Sequence, residues 1–353
     1  MFDAIVAGSH LRYDGPWQRP QQILSRLAQR ARVFVLEEPL RSEADRDEVR
    51  QFDAVTVVRP LRRGLGRDAD ERSIATVRAL CGGHNPLVWL YTPMMLALAD
   101  AFPGAPLVYD CMDELAAFDF APPELRGREA ALLRRADLVF AGGRTLYEGR
   151  RALGERVRLY PSGVDFAHFA RAGAIAPHPL VRELTGPVFG YVGVIDERID
   201  REVLLALGDA GAQSVIVGPF AKIDPATLPR SPRLHYTGIV PYDDLPSFLA
   251  GFDVAIMPFA RNVATASISP TKTLEYLAAG KPVVSTPIAD VVAEYGDVVS
   301  FAEEPSAFVA ACMRALQPDE RRRTRGIELA RAGGWDDIVA RMWADLVATN
   351  PDP

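Results

Sequence analysis

Short Val- and Leu-rich segments that alternate with helical patterns constrain the fold of this chain more than any other feature. In the first half, residues 3–8, 31–37 and 105–110 are apolar without polar alternation, as is typical of strands buried on both faces. Helical patterns at 17–31 and 123–136 lie among them. This order predicts parallel sheets covered by helices on both sides, which is an α/β fold.

One break in this pattern divides the chain. From Ala170 the sequence ARAGAIAPHP is rich in Ala, Gly and Pro and nearly uncharged, as linkers often are. The alternation restarts at Gly186. A length of 353 residues suits about two domains of ~150 residues each. We therefore expect a first domain at 1–170, a linker at 171–185, a second domain at 186–332 and a C-terminal helix at 333–353.

Composition and short motifs exclude several classes of protein. Lys+Arg 40 against Asp+Glu 46 gives a net charge of −6, which argues against a general nucleic-acid binder. The three cysteines are far apart, and the five histidines lack metal-ligand spacing, so no metal site is predicted. The sequence has neither GxGxxG after a strand nor GxxxxGK[ST]. No signal peptide or apolar run of about 18 residues is evident, and we expect a cytoplasmic protein, with peripheral contact to the inner face of the membrane left open.

The segment 267–287, SISPTKTLEYLAAGKPVVSTP, carries the most chemistry. Ser269 is expected to cap a helix that has Pro270 at its first position and stops at Gly280. Lys272 then lies in the first turn, where free N–H groups attract anions, and Glu275 lies on roughly the same face. One interpretation is a diphosphate and ribose site, and the other is a surface helix with a Lys–Glu pair worth a few tenths of a kcal/mol. The chain has only three lysines and 37 arginines, yet two of the lysines are in this segment, which favours the site.

Four segments of the second half resemble, in order, the donor domain of GT-B glycosyltransferases, above all the retaining, nucleotide-sugar-dependent enzymes. They are FGYVG (189–193), VIVGP (215–219), LHYTGIVPYDDLPSFLAGFDVAIMPF (234–259) and SPTKTLEYLAAGKPVV (269–284). In the first half, DGPWQRPQQILSRLA (14–28) and VRLYPSGVDFAHF (157–169) look like bacterial polysaccharide enzymes of the teichuronic-acid type. The resemblance implies two Rossmann-like parallel-sheet domains facing a cleft, with a C-terminal helix that crosses back to the first domain.

The resemblance also implies roles for donor-site residues. Those expected at the diphosphate are Lys272, Thr271 and Arg198, and Glu275 is expected at the ribose. The nucleobase pocket is expected to comprise Val217, Gly218, Ile239 and Val240, although the apolar side chains could equally be strand packing. Contacts to the donor sugar are expected from Gly193, Asn262, Ser267 and the backbone around Ile268. Ser267 stands where many retaining relatives have a glutamate that faces the sugar.

Candidates in the first half lie at the predicted carboxyl ends of strands, where α/β proteins bind ligands. Asp110 and Asp113 are candidates for a general base or for acceptor binding, and the alternative is that they cap a helix. His10 is a further catalytic candidate or a structural histidine. The acceptor candidates are Tyr13, Asp14, Trp17 and Arg19, of which Trp17 and Arg19 could instead anchor the first helix.

The resemblance implies transfer of a sugar from a nucleoside diphosphate sugar, with UDP favoured, to an acceptor hydroxyl, without a cofactor or metal. The acceptor is expected to be a carbohydrate, a lipid-linked sugar or a small molecule. A nucleotide-sugar epimerase and a non-catalytic nucleotide- or glycan-binding module are the alternatives. Residues 1–170 contain 23 arginines and no lysine, which suggests an anionic acceptor or a membrane surface, unless the arginines only fill solvated helix faces.

Overall fold

The structure is a computed structural model that describes residues 2–64, 66, 68–119 and 121–349. It divides into two compact units, each with its own sheet and core. The first unit comprises Met1–Pro161 together with Trp335–Pro353, and the second comprises Ser162–Gly334.

The first unit is built on a mainly parallel sheet. Its strands are β1 (Ala4–Ser9), β2 (Arg32–Glu37), β3 (Leu40–Arg41), β4 (Arg46–Phe52), β5 (Val55–Arg62), β6 (Pro86–Leu90), β7 (Leu107–Cys111), β8 (Leu138–Ala141) and β9 (Val157–Leu159). The strand order is β3-β5-β2-β1-β6-β7-β8-β9, and β4 pairs with β5 in antiparallel fashion at one edge. The β4 sequence RDEVRQF is mostly charged, so its pattern does not predict a strand.

Helices cover both faces of this sheet. They are α1 (Arg19–Leu27), α2 (Glu71–Cys81), α3 (Ala97–Asp100), α4 (Leu125–Arg135) and α5 (Arg144–Arg150). On one face, Ile23 and Leu27 of α1 pack with Trp89 in a buried cluster. On the other face, Val77 of α2 and Leu132 of α4 are buried in a second cluster. The strands are therefore apolar on both sides, as the unalternated runs predict.

The second unit has a parallel sheet in the order β12-β11-β10-β13-β14-β15. In chain order its elements are α6 (Phe166–Ala170), α7 (Pro179–Arg182), β10 (Val188–Val192), α8 (Arg201–Asp209), β11 (Gln213–Val217), β12 (Leu234–Gly238), α9 (Leu245–Ala250), β13 (Val254–Met257), α10 (Lys272–Ala278), β14 (Val283–Ser285), α11 (Ala289–Tyr295), β15 (Val299–Phe301), α12 (Pro305–Ala315) and α13 (Glu320–Ala332). The order reverses between β10 and β13, so this is the topological switch point, where open α/β sheets bind ligands.

The last helix, α14 (Trp335–Thr349), belongs to the first unit. Trp335, Ile338 and Met342 are buried in the same cluster as Ile23 and Leu27. The core of the first unit is therefore assembled from two chain segments that are far apart in sequence. None of the helices in the described part of the chain has the length and hydrophobicity that a bilayer crossing requires.

The predicted linker is wrong, and so is the boundary at Ala170. The chain leaves the first unit at Pro161, and the second unit extends from 162 to 334. Phe169, Ala172 and Val181 are buried in the core of the second unit, and the His178 ring stacks on Phe248 at 4.0 Å. The physical reason is that small residues allow close packing of short helices, so an Ala- and Gly-rich sequence need not be solvated.

Candidate functional site

Two loops meet at the switch point of the second unit, one after β10 and one after β13. Backbone hydrogen bonds join them: Asp200 N–H donates to Pro258 O at 2.9 Å, and Ala260 N–H donates to Arg198 O at 2.7 Å. The Asn262 amide also donates to Glu197 O at 3.1 Å. The two loops therefore form one platform at the carboxyl edge of the central strands.

Lys272 lies directly against the backbone at the end of β10. A Cβ atom at residue 193 would lie 2.7 Å from Lys272 Cε and 2.9 Å from Nζ. Gly193 has φ +152°, and Gly218 at φ +142° contacts the Gly193 carbonyl closely. Glycine is required at both positions, because a side chain would be strained and would displace the lysine or the neighbouring loop.

The Lys272 ammonium group also lies over two aromatic rings. Its Nζ is 5.4 Å from the Tyr191 ring centroid and 5.3 Å from that of Phe259, within the range of cation–π attraction. Neither aromatic residue was predicted at the site from the sequence, although Tyr191 lies in the FGYVG segment. The rings and the bare glycine backbone hold the cation at the switch point.

The helix that carries Lys272 begins later than predicted. α10 starts at Lys272 with Thr271 at the capping position and no side-chain cap, so Ser269 is not its N-cap. Thr273 N–H donates to Pro270 O, and Glu275 N–H donates to Thr271 O, so these two N–H groups of the first turn have backbone acceptors without a serine. The predicted stop is confirmed, since Gly280 adopts φ +68°. Because α10 is only seven residues long, the Lys272 side chain contributes more than the helix dipole to the attraction of an anion.

Glu275 is a partly buried carboxyl group one turn along α10. Burial raises its pKa to about 7, while the Lys272 charge and a hydrogen bond with Thr271 act in the opposite direction. The group therefore changes its ionisation near neutral pH. A carboxylate at this place can accept hydrogen bonds from hydroxyl groups of a bound molecule.

Arg198 has a tight partner that sequence reasoning missed. Its Nη2 lies 2.6 Å from Asp196 Oδ2, and its Nε donates to both carboxylate oxygens. Asp196 Oδ1 also accepts from the Arg198 backbone N–H at 3.0 Å. The spacing of two residues between an aspartate and the following N–H donor is an Asx-turn signal. The ion pair neutralises much of the charge that Arg198 would offer to an anion.

The four residues predicted to form the nucleobase pocket lie in different surroundings. Val217 is fully buried in the core, so the prediction that it walls an accessible pocket is wrong: its side chain packs under the sheet. Ile239 is 65% exposed and follows Gly238, whose carbonyl accepts from Gly218 N–H. Val240 packs against the core. Ile239 is thus the most accessible residue of this group.

The donor-sugar candidates lie in the loop after β13. Asn262 stabilises that loop through two hydrogen bonds. Its Oδ1 accepts from Thr265 N–H at 3.0 Å, and its Nδ2 donates to the Glu197 carbonyl. The Ile268 side chain is buried in the core, which leaves its backbone for a ligand. Ser267 is partly exposed and precedes Lys272 by five residues.

In the first unit, Asp110 and Arg19 form a buried ion pair. Arg19 Nε donates to Asp110 Oδ1 at 3.0 Å and Nη1 donates to Tyr160 O at 2.8 Å, and neither residue is more than 1% exposed. Burial raises the pKa of Asp110, and Arg19 opposes the shift. The predictions that Asp110 acts as a base and that Arg19 binds the acceptor are therefore wrong for this structure, because both side chains are enclosed in the core.

The other first-unit candidates surround the loop after β1. The Tyr13 ring is buried against Phe52 and Trp17, which also corrects its prediction as an acceptor contact. Asp14 pairs with Arg59 at 2.6 Å and with Arg50 at 3.0 Å, and Arg59 holds its pKa below the usual value. Trp17 is 37% exposed.

His10 and Asp113 are both partly buried, after β1 and β7 respectively. With Asp14 and Trp17, they are the candidates at this edge of the sheet that are not fully buried. Elsewhere in the described residues, no cluster of three or more His, Cys, Asp or Glu side chains is placed to hold a metal ion.

Comparison with known proteins gives one family and several solved folds. Residues 187–318 match the family described as "Glycosyl transferases group 1". The chain is 25% identical over 295 residues to TuaH of Bacillus subtilis (strain 168), a protein assigned to teichuronic acid biosynthesis as a glycosyltransferase. That match covers 75% of this chain and 72% of the relative.

Two solved structures resemble almost the whole chain. Sucrose-phosphate synthase from Thermosynechococcus elongatus has a TM-score of 0.74 at 16% identity, with 99% of this chain and 100% of that chain covered. Anabaena Alr3699/HepE in complex with UDP-glucose has a TM-score of 0.70 at 16% identity, with 98% and 99% covered. These likenesses show the fold, and the expected GT-B architecture of two parallel-sheet α/β domains is confirmed.

Proposed function

We propose that this chain is a nucleotide-sugar-dependent glycosyltransferase whose donor, a UDP-sugar, is held in the second unit, where residues 187–318 match the group 1 family. The observation that carries the proposal is the Lys272 ammonium group, which is held against Gly193 at the switch point of the sheet. A cation beside bare backbone is suited to a diphosphate, because charge-assisted hydrogen bonds to anions are strong. The UDP complexes of the Anabaena protein support the choice of base.

In this proposal the diphosphate, ribose, base and sugar of the donor each contact different residues of the second unit. Lys272, with Thr271 beside it, neutralises the diphosphate, and Arg198 lies near it with its charge already shared with Asp196. Glu275 accepts hydrogen bonds from the ribose hydroxyls, and Ile239 packs on the base. Ser267, Asn262 and the backbone at Gly193 and Ile268 are left for the sugar. The chain's own cations, without a cofactor or metal, stabilise the leaving diphosphate.

The burial of Asp110 favours a retaining reaction. In that route the acceptor oxygen attacks the anomeric carbon from the leaving-group side while the carbon–phosphate oxygen bond breaks. The nucleoside diphosphate leaves with the bonding electrons, and one of its oxygens takes the acceptor proton, so no protein base is required. An inverting reaction would need a base on the opposite side, for which His10 and Asp113 are the remaining candidates.

The acceptor in this proposal is a carbohydrate, either free or lipid-linked. TuaH's assignment to teichuronic acid biosynthesis supports a polysaccharide context, and the exposed ring of Trp17 can stack on a sugar. Peripheral contact with an anionic membrane is the second part of this proposal. Exposed arginines on α4 and α5, such as Arg126, Arg134 and Arg144, support it, whereas Arg50 and Arg59 are engaged with Asp14.

Lys272→Ala tests the donor site. Loss of one charge-assisted contact of about 1.5–3 kcal/mol should weaken binding of the best nucleotide roughly ten- to a hundredfold, with an unchanged melting temperature. Calorimetry with UDP, GDP, dTDP and ADP measures this. Lys222→Ala removes an exposed lysine of the same unit and is the matched control. Equal affinity of the Lys272 variant and the wild type would remove Lys272 from the site.

Product analysis and co-sedimentation separate the remaining possibilities. Conversion of the nucleotide sugar without any acceptor would indicate an epimerase, and binding without turnover would indicate a binding module. Sedimentation with anionic liposomes that weakens as salt increases would support membrane contact, since surface attraction is screened over ~8–10 Å. No sedimentation at low salt would leave a soluble acceptor.

A further inference from the structure

A basic cavity lies in the second unit, at the edge of the sheet opposite to the donor platform. Its volume is about 930 Å³. It is bordered by Asp253, Pro282 and Val298, which precede β13, β14 and β15, and by the end of α12 and the start of α13. Because parallel strands all begin at the same edge, the cavity is separated by the length of the sheet from the loops that follow β10 and β13.

The charges around this cavity are unevenly balanced. Its cations are Lys281, Arg314, Arg322 and Arg323, and its carboxylates are Asp253, Asp319 and Glu320. Each carboxylate has an internal partner. Asp253 accepts from Val188 N–H at 2.8 Å, Asp319 caps α13 by accepting from Arg322 N–H at 3.0 Å, and Glu320 pairs with Arg323 at 2.8 Å.

Three of the cations have no carboxylate within ion-pair distance in the described part of the chain. Lys281 Nζ donates to the Ala250 carbonyl at 3.2 Å. Arg322 donates to Ser300 Oγ at 3.1 Å and to the Asp297 carbonyl at 3.3 Å. Arg314 is exposed. Four cations against three carboxylates leave an excess of positive charge on this concave surface, and such an excess attracts an anion.

The burial of Lys281 supports the same conclusion. Burial lowers the pKa of this lysine, while the Asp253 charge acts in the opposite direction. The charged form is therefore held at a cost that an arriving anion would reduce. The other wall of the cavity is apolar and includes Leu277, Val283, Phe301 and Leu316. The volume is within the range of small-molecule sites, so the surroundings suit a ligand with both an anionic group and an apolar part.

We propose that this cavity binds a phosphate-bearing small molecule, with Arg314, Arg322 and Lys281 around the phosphate. The site is distinct from the donor site, because its residues lie at the other edge of the sheet. The two are connected by α10: Lys272 and Glu275 lie near its start, and Leu277 and Lys281 near its end contact the cavity. A ligand in the cavity would therefore contact the end of the helix that carries Lys272 and Glu275.

Calorimetric titration of inorganic pyrophosphate into the Lys272→Ala variant tests the proposal, since the donor site is weakened there. We expect residual binding at one site per chain. Adding Arg314→Gln should weaken it about tenfold, the equivalent of one charge-assisted contact, and adding Lys281→Met as well should weaken it further. Arg314 is exposed, so its variant will fold even if the Lys281 variant does not.

Arg321→Gln in the same background is the matched control, because Arg321 is exposed on α13 but does not line the cavity. Its affinity should equal that of the Lys272→Ala parent. Absence of residual binding, or residual binding that Arg314→Gln leaves unchanged, would overturn the second site. If wild type and Lys272→Ala bound pyrophosphate with the same affinity and stoichiometry, the donor-site proposal would be contradicted. The effect of Arg314→Gln would then still decide whether the second site exists.

Discussion

Lys272 and Arg198 show that two cations of one loop platform need not be equivalent. Lys272 rests on bare glycine backbone and aromatic rings, whereas the Arg198 guanidinium already binds both oxygens of Asp196. A guanidinium that shares its charge with a carboxylate gains less from a second anion. The contribution of each cation therefore depends on its neighbours rather than on its residue type.

Arg198→Gln is accordingly expected to weaken nucleotide binding by less than about threefold, well below the tenfold or greater effect of Lys272→Ala. Calorimetry on both variants under identical conditions gives the comparison. A loss in the Arg198 variant as large as that in the Lys272 variant would mean that Arg198 leaves Asp196 for the diphosphate when the donor binds.

Glu275 makes stability depend on pH through its raised pKa of about 7. Between pH 4.5 and 7 the unfolded chain releases this proton while the folded chain retains it, so the folded state loses stability as pH rises. Glu275→Gln removes the effect. We expect the variant to gain stability relative to wild type over this range, by on the order of 1–3 kcal/mol, and then to stay level above pH 7.

Denaturant titrations of both proteins at several pH values measure this difference. If the free energy of unfolding changed with pH equally in the two proteins, the prediction would be contradicted. Activity is a separate readout for the same variant. The amide retains the size of the side chain but loses the charge and one acceptor, so transfer should fall sharply if Glu275 binds the ribose. Normal activity per folded molecule would make Glu275 a structural residue.

At the scale of elements, the Arg19–Asp110 ion pair joins the start of α1 to β7 and to the Tyr160 carbonyl. Both groups are enclosed, so each compensates the desolvation of the other. Sequence position alone suggested a ligand site, because charged residues that follow strands often face a cleft. In this structure the Arg19–Asp110 pair links the first helix to the sheet.

Arg19→Met should therefore destabilise the first unit by about 3–5 kcal/mol, because it leaves the Asp110 charge buried without compensation. The double variant Arg19→Met with Asp110→Asn should recover part of this loss, since no ionised group then remains enclosed. Urea denaturation of the three proteins measures the coupling. Equal stability of Arg19→Met and wild type would contradict the role assigned to the pair.

At the scale of the whole molecule, the first unit depends on a segment that follows the second unit in the chain. α14 places Trp335, Ile338, Val339, Met342 and Leu346 in the core beside α1. Burial of five apolar side chains at roughly 1.5–3 kcal/mol each is large compared with the stability of a typical domain. The core of the first unit is therefore complete only when α14 has been made.

A chain that ends at Gly334 should lose hydrogen-exchange protection in α1 and β1, while the sheet of the second unit keeps its protection. Mass-spectrometric exchange, with a chain that ends at Thr349 as the control, distinguishes the two units. Unchanged protection of α1 in the shorter chain would show that α14 is dispensable for the first core.

The sequence by itself determined the α/β class, the two parallel sheets and the α10 segment with Lys272, Glu275 and Gly280. These features depend on local patterns, namely apolar runs, a left-handed glycine and a resemblance spread over consecutive motifs. The Glu275 surroundings were only partly predictable, because its raised pKa requires knowledge of burial. The roles given to Lys272 and Glu275 stay predictions until binding is measured.

Only the tertiary structure decided which charged residues are enclosed and where the units divide. Asp110 and Asp113 look alike in sequence, yet Asp110 meets Arg19 from 91 positions away, and no local pattern encodes such a pairing. The same holds for the segment 171–185, whose small residues resemble a linker and pack instead on α9. Burial is a property of the assembled chain, since it depends on which distant surfaces come together, and it determines whether a polar side chain stabilises the core or contacts a ligand.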